Sequence, residues 1–411
     1  MKLAIDGGIP IKTTPFGKGK RFGSEELVQL SEALEQNTLF YAHGQKVKAF
    51  TKKFAAMYSV PYCVGVSSGT ASVHTALGAL GIKPGDEVIT TPFTDMGTVI
   101  GILYQNAIPV FADLDPYNFM MDPVSIEERI TPRTKAIVVV HLMGNAADMD
   151  AILEIAGRYN LYVIEDCAQS FLTTYKGRLV GTIGHIGCFS LNDFKHISVG
   201  DGGMVIMNDE ELYIKAARFA DKNYDRTVDK RDRLIDFMAP CYRMNELQGA
   251  VAIAQLDRLE GICDRRMIIG DRISAGIKDL PGVTPPKTQP DSRCTYWFYM
   301  FRLDPELIDP KRFNAALEAE GVLSGIGYTM NNMLYDYGLF ANKNIRPGTK
   351  CPFDCPYYDG NVTYDKSLFP QAEEIVNSSV CIPMSEFYTD DDVDEIIAAI
   401  CKVSIVMTNI K

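Results

Sequence analysis

The 411-residue chain has no excess of positive charge: 41 Lys and Arg stand against 52 Asp and Glu, a formal net charge of -11. That balance repels phosphate backbones and anionic lipid at long range, so neither nucleic acid nor membrane is an expected partner. A small anionic ligand is not excluded, because local backbone amides set such a site. No apolar run approaches the roughly 18 residues of a spanning helix, and no stretch of signal-peptide length precedes Asp6. The expected compartment is the cytoplasm. Ten cysteines in so long a chain fit buried reduced thiols better than a disulfide framework. Cys351 and Cys355 are the closest pair, but no second pair or nearby histidine completes a zinc pattern, so no metal is expected. Internal repeats and low-complexity tracts are missing as well.

What is present is the mix of a soluble globular protein, 46% hydrophobic and 23% charged residues, in a chain long enough for two domains. From residue 60 to about 260, short apolar runs alternate with stretches of helical period. Glu87–Thr90, Ile108–Phe111, Ala136–Val140, Leu161–Ile164 and Met204–Met207 read as buried strands. Ala71–Leu80, Ala147–Tyr159, Glu210–Ala220 and Met244–Leu259 read as the helices between them. The pattern predicts an α/β fold with a largely parallel sheet covered on both faces. Ligands of such sheets sit in the loops beyond the strands' carboxyl ends.

After residue 260 the character changes. A turn-rich connector, Pro281–Arg293, leads to a strand candidate at Tyr296–Phe301 and a helix candidate at Pro310–Glu320. Thr389 to Asp392 places acidic residues at another helix start. This predicts a large domain over residues 1–260 and a smaller α+β domain over 261–411. The segment 342–366 has no clear period, and a loop of that length is unusual unless functional.

Three stretches carry possible chemistry. Ser67-Ser68-Gly69-Thr70-Ala71 follows the strand candidate Cys63–Val66 and precedes a helix. Its amides and hydroxyls suit a phosphate cradle, and equally an ordinary N-cap. Val163-Ile164-Glu165-Asp166-Cys167-Ala168-Gln169 ends a strand in a carboxylate. Asp166 there suits a protonated ring nitrogen, with Gln169 in reach, or a cap or loop salt bridge. Cys188 to Gly203 holds Lys195 between Phe194 and His196, with Ser190 upstream and Gly202-Gly203 behind. A lysine that forms an imine needs a site where its ammonium is easily deprotonated; an isolated lysine is more often a solvated cation.

Taken in order, S-S-G-T-A, V-I-E-D-C-A-Q and F-S-x-x-x-x-K-x-I-x-x-G-D-G-G resemble the DegT/DnrJ/EryC1/StrS family of sugar aminotransferases that depend on pyridoxal phosphate (PLP). The likeness runs nearly end to end, from Gly7-Gly8-Ile9-Pro10 through Tyr242–Gln248 to Ile382-Pro383-Met384. It implies a PLP fold-type I large domain, like that of aspartate aminotransferase, and a homodimer with shared active sites. It implies that Lys195 is the catalytic residue, in Schiff-base linkage to PLP. By the same resemblance Asp166 pairs with the pyridinium nitrogen, Gln169 lies against the ring, and Gly69, Thr70 and Ser190 hold the phosphate. The implied reaction moves an amino group from glutamate or glutamine to a keto-sugar, often nucleotide-linked, or to a related polyol carbonyl.

Two positions depart from the family. Asp95 stands where many relatives stack an aromatic ring on the cofactor, so Phe93 or Met96 shifts in, the ring face is covered differently, or Asp95 meets substrate. Cys241 replaces an asparagine that reaches the neighbouring subunit's phosphate. The acceptor region, Gly327–Met333 with segment 342–366, lacks a histidine-rich pattern, and Asn331-Asn332 suits a polyol or a plain polar loop. Two alternatives accompany the transaminase reading. One is a sugar dehydratase using pyridoxamine phosphate, open only if His196 takes the lysine's place. The other is a non-catalytic PLP-binding sensor.

Overall fold

A computed structural model of the chain describes residues 1–328 and 333–408. The strands, in chain order, are β1 (Tyr62–Val66), β2 (Glu87–Thr90), β3 (Ile108–Phe111), β4 (Thr134–Val140) and β5 (Tyr162–Asp166). A short hairpin of β6 (Thr174–Tyr175) and β7 (Arg178–Leu179) precedes β8 (Ile186–Ser190) and β9 (Gly203–Met207). β10 (Val283–Thr284), β11 (Phe298–Leu303), β12 (Gly325–Ile326) and β13 (Ser379–Pro383) complete the set. The main sheet has seven strands in the order β1-β9-β8-β5-β4-β2-β3. Only β9 runs against the others, pairing antiparallel with β8 and β1. The mostly parallel α/β architecture is therefore the one the alternating pattern predicts.

The period-2 geometry of a strand explains why these runs are apolar throughout. Ile137 and Val139 enter one core with Ile89 and Val163, while Ala136 and Val138 face the other with Val88 and Ile164. The second face is closed by helices Gly69–Ala79 and Glu210–Ala220. They approach so closely that a Cβ on Gly78 would lie 2.2 Å from the Phe219 ring. Caps mark where many strands hand over to helices: Ser68, Asp95, Asp148 and Asp209 each accept a backbone N–H of the first turn.

β10, β11, β13 and β12 form a separate antiparallel sheet over its own apolar cluster of Tyr299, Phe301, Phe313, Val393 and Ile396. Helix Glu246–Ile277 runs unbroken through residue 260 and serves both cores, with Leu256 and Leu259 in one and Ile269 and Ile273 in the other. The N-terminal residues also join the second cluster. Leu3 is buried there, and the Lys12 ammonium, itself buried, meets Asp392 at 2.5 Å and Glu395 at 2.6 Å. No helix among the described residues is long and apolar enough to cross a membrane.

The aperiodic segment 342–366 covers a sheet edge. β3 is an edge strand whose Pro109 has no N–H to donate, a residue tolerated only at such an edge. Tyr364 donates its hydroxyl to the Pro109 carbonyl at 2.6 Å, and its ring meets those of Phe111, Phe340 and Phe353. The expectation of reduced thiols throughout is corrected here: Cys351 and Cys355 form a disulfide within this cover, their Cα atoms 5.1 Å apart and so within bridging distance. The other eight cysteines are free. Because the Tyr364 hydroxyl is buried with one acceptor, Tyr364→Phe should lower unfolding stability by about 1 kcal/mol. A urea titration showing no loss would mean the edge is held without this bond.

Candidate active site

Register brings the candidate residues to one edge. Val140 lies beside Asp166, Asp166 beside Cys188, and Ser190 and Val66 both pair with Gly203. The chain leaving each parallel strand therefore emerges at the same rim, where a cavity of about 710 Å³ opens. Gly69, Thr70, Asp166, Gln169, Ser190 and Lys195 all line it. The structure thus gathers all six sequence-derived site residues, drawn from a span of 127 positions, around one space.

Gly69 and Thr70 open the helix Gly69–Ala79, so their N–H groups have no acceptor within the helix. Ser68 caps Ala71 at 3.0 Å and leaves those two amides for a ligand. Two glycines make this cradle possible. A Cβ on Gly69 would fall 2.6 Å from Ser190 Cβ, and one on Gly203 would fall 2.3 Å from the Ser68 carbonyl oxygen. The Ser190 hydroxyl accepts from the Asn192 N–H at 3.3 Å and keeps its own proton to donate. Helix-start amides converging with a hydroxyl are a donor set suited to a phosphate.

Asp166 is buried and met by hydrogen-bond donors. Thr98 donates to its Oδ2 at 2.8 Å and the Ala168 N–H to Oδ1 at 3.1 Å. Thr94 and Thr98 hydroxyls lie 2.8 Å apart; because Thr98 gives its proton to Asp166, Thr94 donates in turn. Burial raises the Asp166 carboxyl above its ordinary value, and these donors and the Lys195 charge offset that only in part, with Asp95 adding to the rise. Beneath it, Glu165 Oε2 accepts from His141 Nε2 at 3.0 Å and from the Gly181 N–H at 2.8 Å. Its Oε1 accepts from Ile183 and Gly184 at 2.7 and 2.6 Å. His141 Nδ1 takes the Ala147 N–H at 3.2 Å, which assigns the ring proton to Nε2. His141, Glu165 and Cys167 lie close enough to suggest a metal cluster, but these bonds already occupy the imidazole and the carboxylate.

Gln169 is fixed at both ends, accepting from the Met143 N–H at 2.9 Å and donating to the Tyr328 hydroxyl at 2.6 Å. Lys195 projects its Nζ to 4.1 Å from the centre of the Trp297 ring. Burial lowers its ammonium to about 8 from an ordinary 10.5, with Asp166 and Asp95 pulling the other way. His196 turns away: it is fully buried, pairs through Nε2 with the Thr295 carbonyl at 3.1 Å, and does not line the cavity. Of the Lys195-His196 pair, only Lys195 lines the cavity.

Asp95 caps helix Met96–Tyr104 through the Gly97 N–H at 2.8 Å and lines the cavity as an exposed carboxylate. Neither Phe93, which packs edge-on against Tyr328, nor Met96 lines it. Cys241 lies outside the cavity on an exposed bridge to Asp221. The polyol reading of Asn331-Asn332, with Thr329 and Met330, falls outside the described residues. Thr98 and Trp297 were not singled out as site residues from the sequence, while Tyr328 was, as part of the acceptor segment Gly327–Met333. Thr98 sits in the first turn of the helix that follows β2, which is a usable signal; Trp297, next to β11 of the second sheet, carries none.

A buried amine loses its proton more readily, so the reactive fraction of Lys195 should rise with pH around 8. Competitive labelling of the cofactor-free chain with acetic anhydride, followed by peptide mass spectrometry, should place the Lys195 midpoint there. A midpoint at the ordinary lysine value would show the amine to be solvated.

A model described as the DegT/DnrJ/EryC1/StrS aminotransferase family matches residues 21–353. The chain is 35% identical over 387 residues to the spore coat polysaccharide biosynthesis protein SpsC of Bacillus subtilis (strain 168), covering 92% of this chain and 94% of that protein. It is 31% identical over 420 residues to the L-glutamine:2-deoxy-scyllo-inosose aminotransferase of Micromonospora echinospora, covering 98% and 97%. Among solved structures, the aminotransferase from Psychrobacter cryohalolentis matches with a TM-score of 0.82 at 29% identity, over 95% of this chain and 98% of that one. Family model, near full-length relatives and fold agree: the chain belongs to the DegT/DnrJ/EryC1/StrS aminotransferase family and is an aminotransferase.

Proposed function

We propose that the chain is a PLP-dependent aminotransferase that takes an amino group from glutamine or glutamate and gives it to the ketone of a sugar or cyclitol, with Lys195 as the covalent attachment point. The observation that carries this reading is the meeting of a buried amine, a buried carboxylate and an anion cradle in one cavity. Those three groups fit the aldehyde, the ring nitrogen and the phosphate of PLP. When bound, PLP would supply the aldehyde that accepts amines and a protonated ring that draws electrons from the carbon being deprotonated.

The chain's own residues would do the rest. Gly69 and Thr70 amides and the Ser190 hydroxyl would hold the phosphate by dipoles rather than by full charges. Asp166, kept anionic by Thr98 and Ala168, would hold a ring N–H and with it the ring's electron demand. Gln169, locked between Met143 and Tyr328, would fix the ring's plane. Lys195 Nζ, half deprotonated near pH 8, would accept the donor's α-proton and return it to the carbon that follows. The relatives named for inosose amination and spore coat polysaccharide support a polyhydroxylated ketone as acceptor. The working unit we propose is a cytoplasmic homodimer.

The test is direct. The purified chain with PLP, treated with borohydride and digested, should carry the cofactor mass on the peptide containing Lys195, and Lys195→Ala should carry none. Lys195→Ala should also lower amination of a keto-sugar or inosose by about 10²-fold or more, the usual worth of a positioned acid–base group. Cofactor fixed at another lysine, or turnover undiminished in the variant, would refute the assignment.

A further inference from the structure

Trp297, the chain's only tryptophan, immediately precedes β11 of the second sheet yet reaches the catalytic rim. It is 8% exposed, and its ring centre lies 4.1 Å from Lys195 Nζ. Its indole N–H donates to the Phe194 carbonyl at 2.6 Å. Its own backbone is held at both ends: its N–H donates to the Met143 carbonyl at 2.9 Å, and its carbonyl accepts from Arg266 at 3.3 Å. Arg266 is in turn anchored by Glu386 at 2.9 Å.

The neighbours of Phe194 are gripped in the same way. Arg21 donates to the carbonyls of Asp193 and Lys195, so three successive carbonyls each accept from a side chain outside the segment. Packing alone would ask only for an apolar shape at Trp297. Here the ring's π face meets an ammonium while its N–H locks the preceding residue. An indole face holds a cation set over it and keeps water from it. We propose that Trp297 is a positioning residue for the reacting lysine, fixing Nζ against its ring, screening it from bulk water and pinning Phe194 through its N–H. A residue at the entry to β11 of the second sheet thereby sets the aim of an amine beside the first.

The proposal rests on Lys195 being the reacting lysine, but its tests need neither cofactor nor substrate, so they fail or succeed apart from the borohydride experiment. The first uses the lone tryptophan as its own reporter. Emission of the cofactor-free chain should change with pH at the midpoint of Lys195 labelling, and that change should vanish in Lys195→Met. Asp95, Asp166, His196, Arg266, Tyr328 and Cys381 also surround this corner but persist in the variant, so the difference isolates the amine. Emission that titrates identically in both chains overturns the proposal. The second test repeats the acetic anhydride titration in two variants. Trp297→Leu should admit water and slow Lys195 labelling at pH 7 about threefold, equivalent to half a pKa unit. Trp297→Phe, which retains a ring, should label as wild type does. An unchanged or faster rate in Trp297→Leu overturns the proposal; if that variant does not fold, the emission experiment decides alone.

Discussion

Parallel pairing in fixed register is the constraint on which everything else rests. A slip of one residue between β4 and β5 would turn Asp166 away from the rim and bring Glu165 there in its place. The present register is secured by side chains on both faces: Ile137 and Val139 can enter one core only while Ala136 and Val138 enter the other. Two carboxylates in sequence, Glu165 and Asp166, point to opposite sides and do opposite work. Glu165 spends all its acceptor capacity on backbone amides and His141, fixing the turn 181–184 and the strand end. Asp166, on the other side, retains capacity toward the cavity.

The electrostatics of the site follow from burial. A carboxylate out of water is costly unless several donors meet it. Thr98, its partner Thr94 and the Ala168 amide meet that need for Asp166. The charge so preserved raises the neighbouring Lys195, while desolvation lowers it, and desolvation is the larger effect. The outcome is an amine lowered to about 8 beside a carboxylate that burial raises and several donors hold down. Opposite shifts from shared surroundings let one cavity hold both a proton acceptor and a fixed negative charge.

Much of this was legible in the sequence because its signals are local. Strand runs such as Ile108–Phe111 and helix Glu210–Ala220 coincide with their expected limits, since apolar run and cap lie within a few residues of each other. Ser68-Gly69, Asp166 and Lys195 could be found because each sits at a strand end or in an ordered motif. What was not legible depends on contacts far apart in the chain. Residues 342–366 read only as an aperiodic loop of functional length until Tyr364 reaches Pro109, 255 positions away. Trp297 reads as one more strand aromatic until its indole finds Phe194, 103 positions away. The disulfide escaped for a related reason: a spacing of four residues says nothing of whether a turn brings two Cα atoms within bridging distance.

Asp95 shows how local and tertiary demands trade against each other at one residue. As a cap it satisfies the Gly97 amide at the head of Met96–Tyr104, a contribution of about 1 kcal/mol that an aromatic ring could not make. The same choice removes a stacking face from the cavity and puts a negative charge there instead. With Asp95, Asp166 and Asp201 on its walls and Lys195 as the one cation among its described lining residues, the cavity of a single chain is anionic on balance. An anion such as a phosphate can then enter only where dipoles outweigh that field, at the start of helix Gly69–Ala79, where two free amides and the Ser190 hydroxyl point the same way. Charge repels an anion from the wall and hydrogen bonding favours the cradle, so the acidic residues would help define where a bound phosphate sits as surely as the groups that touch it.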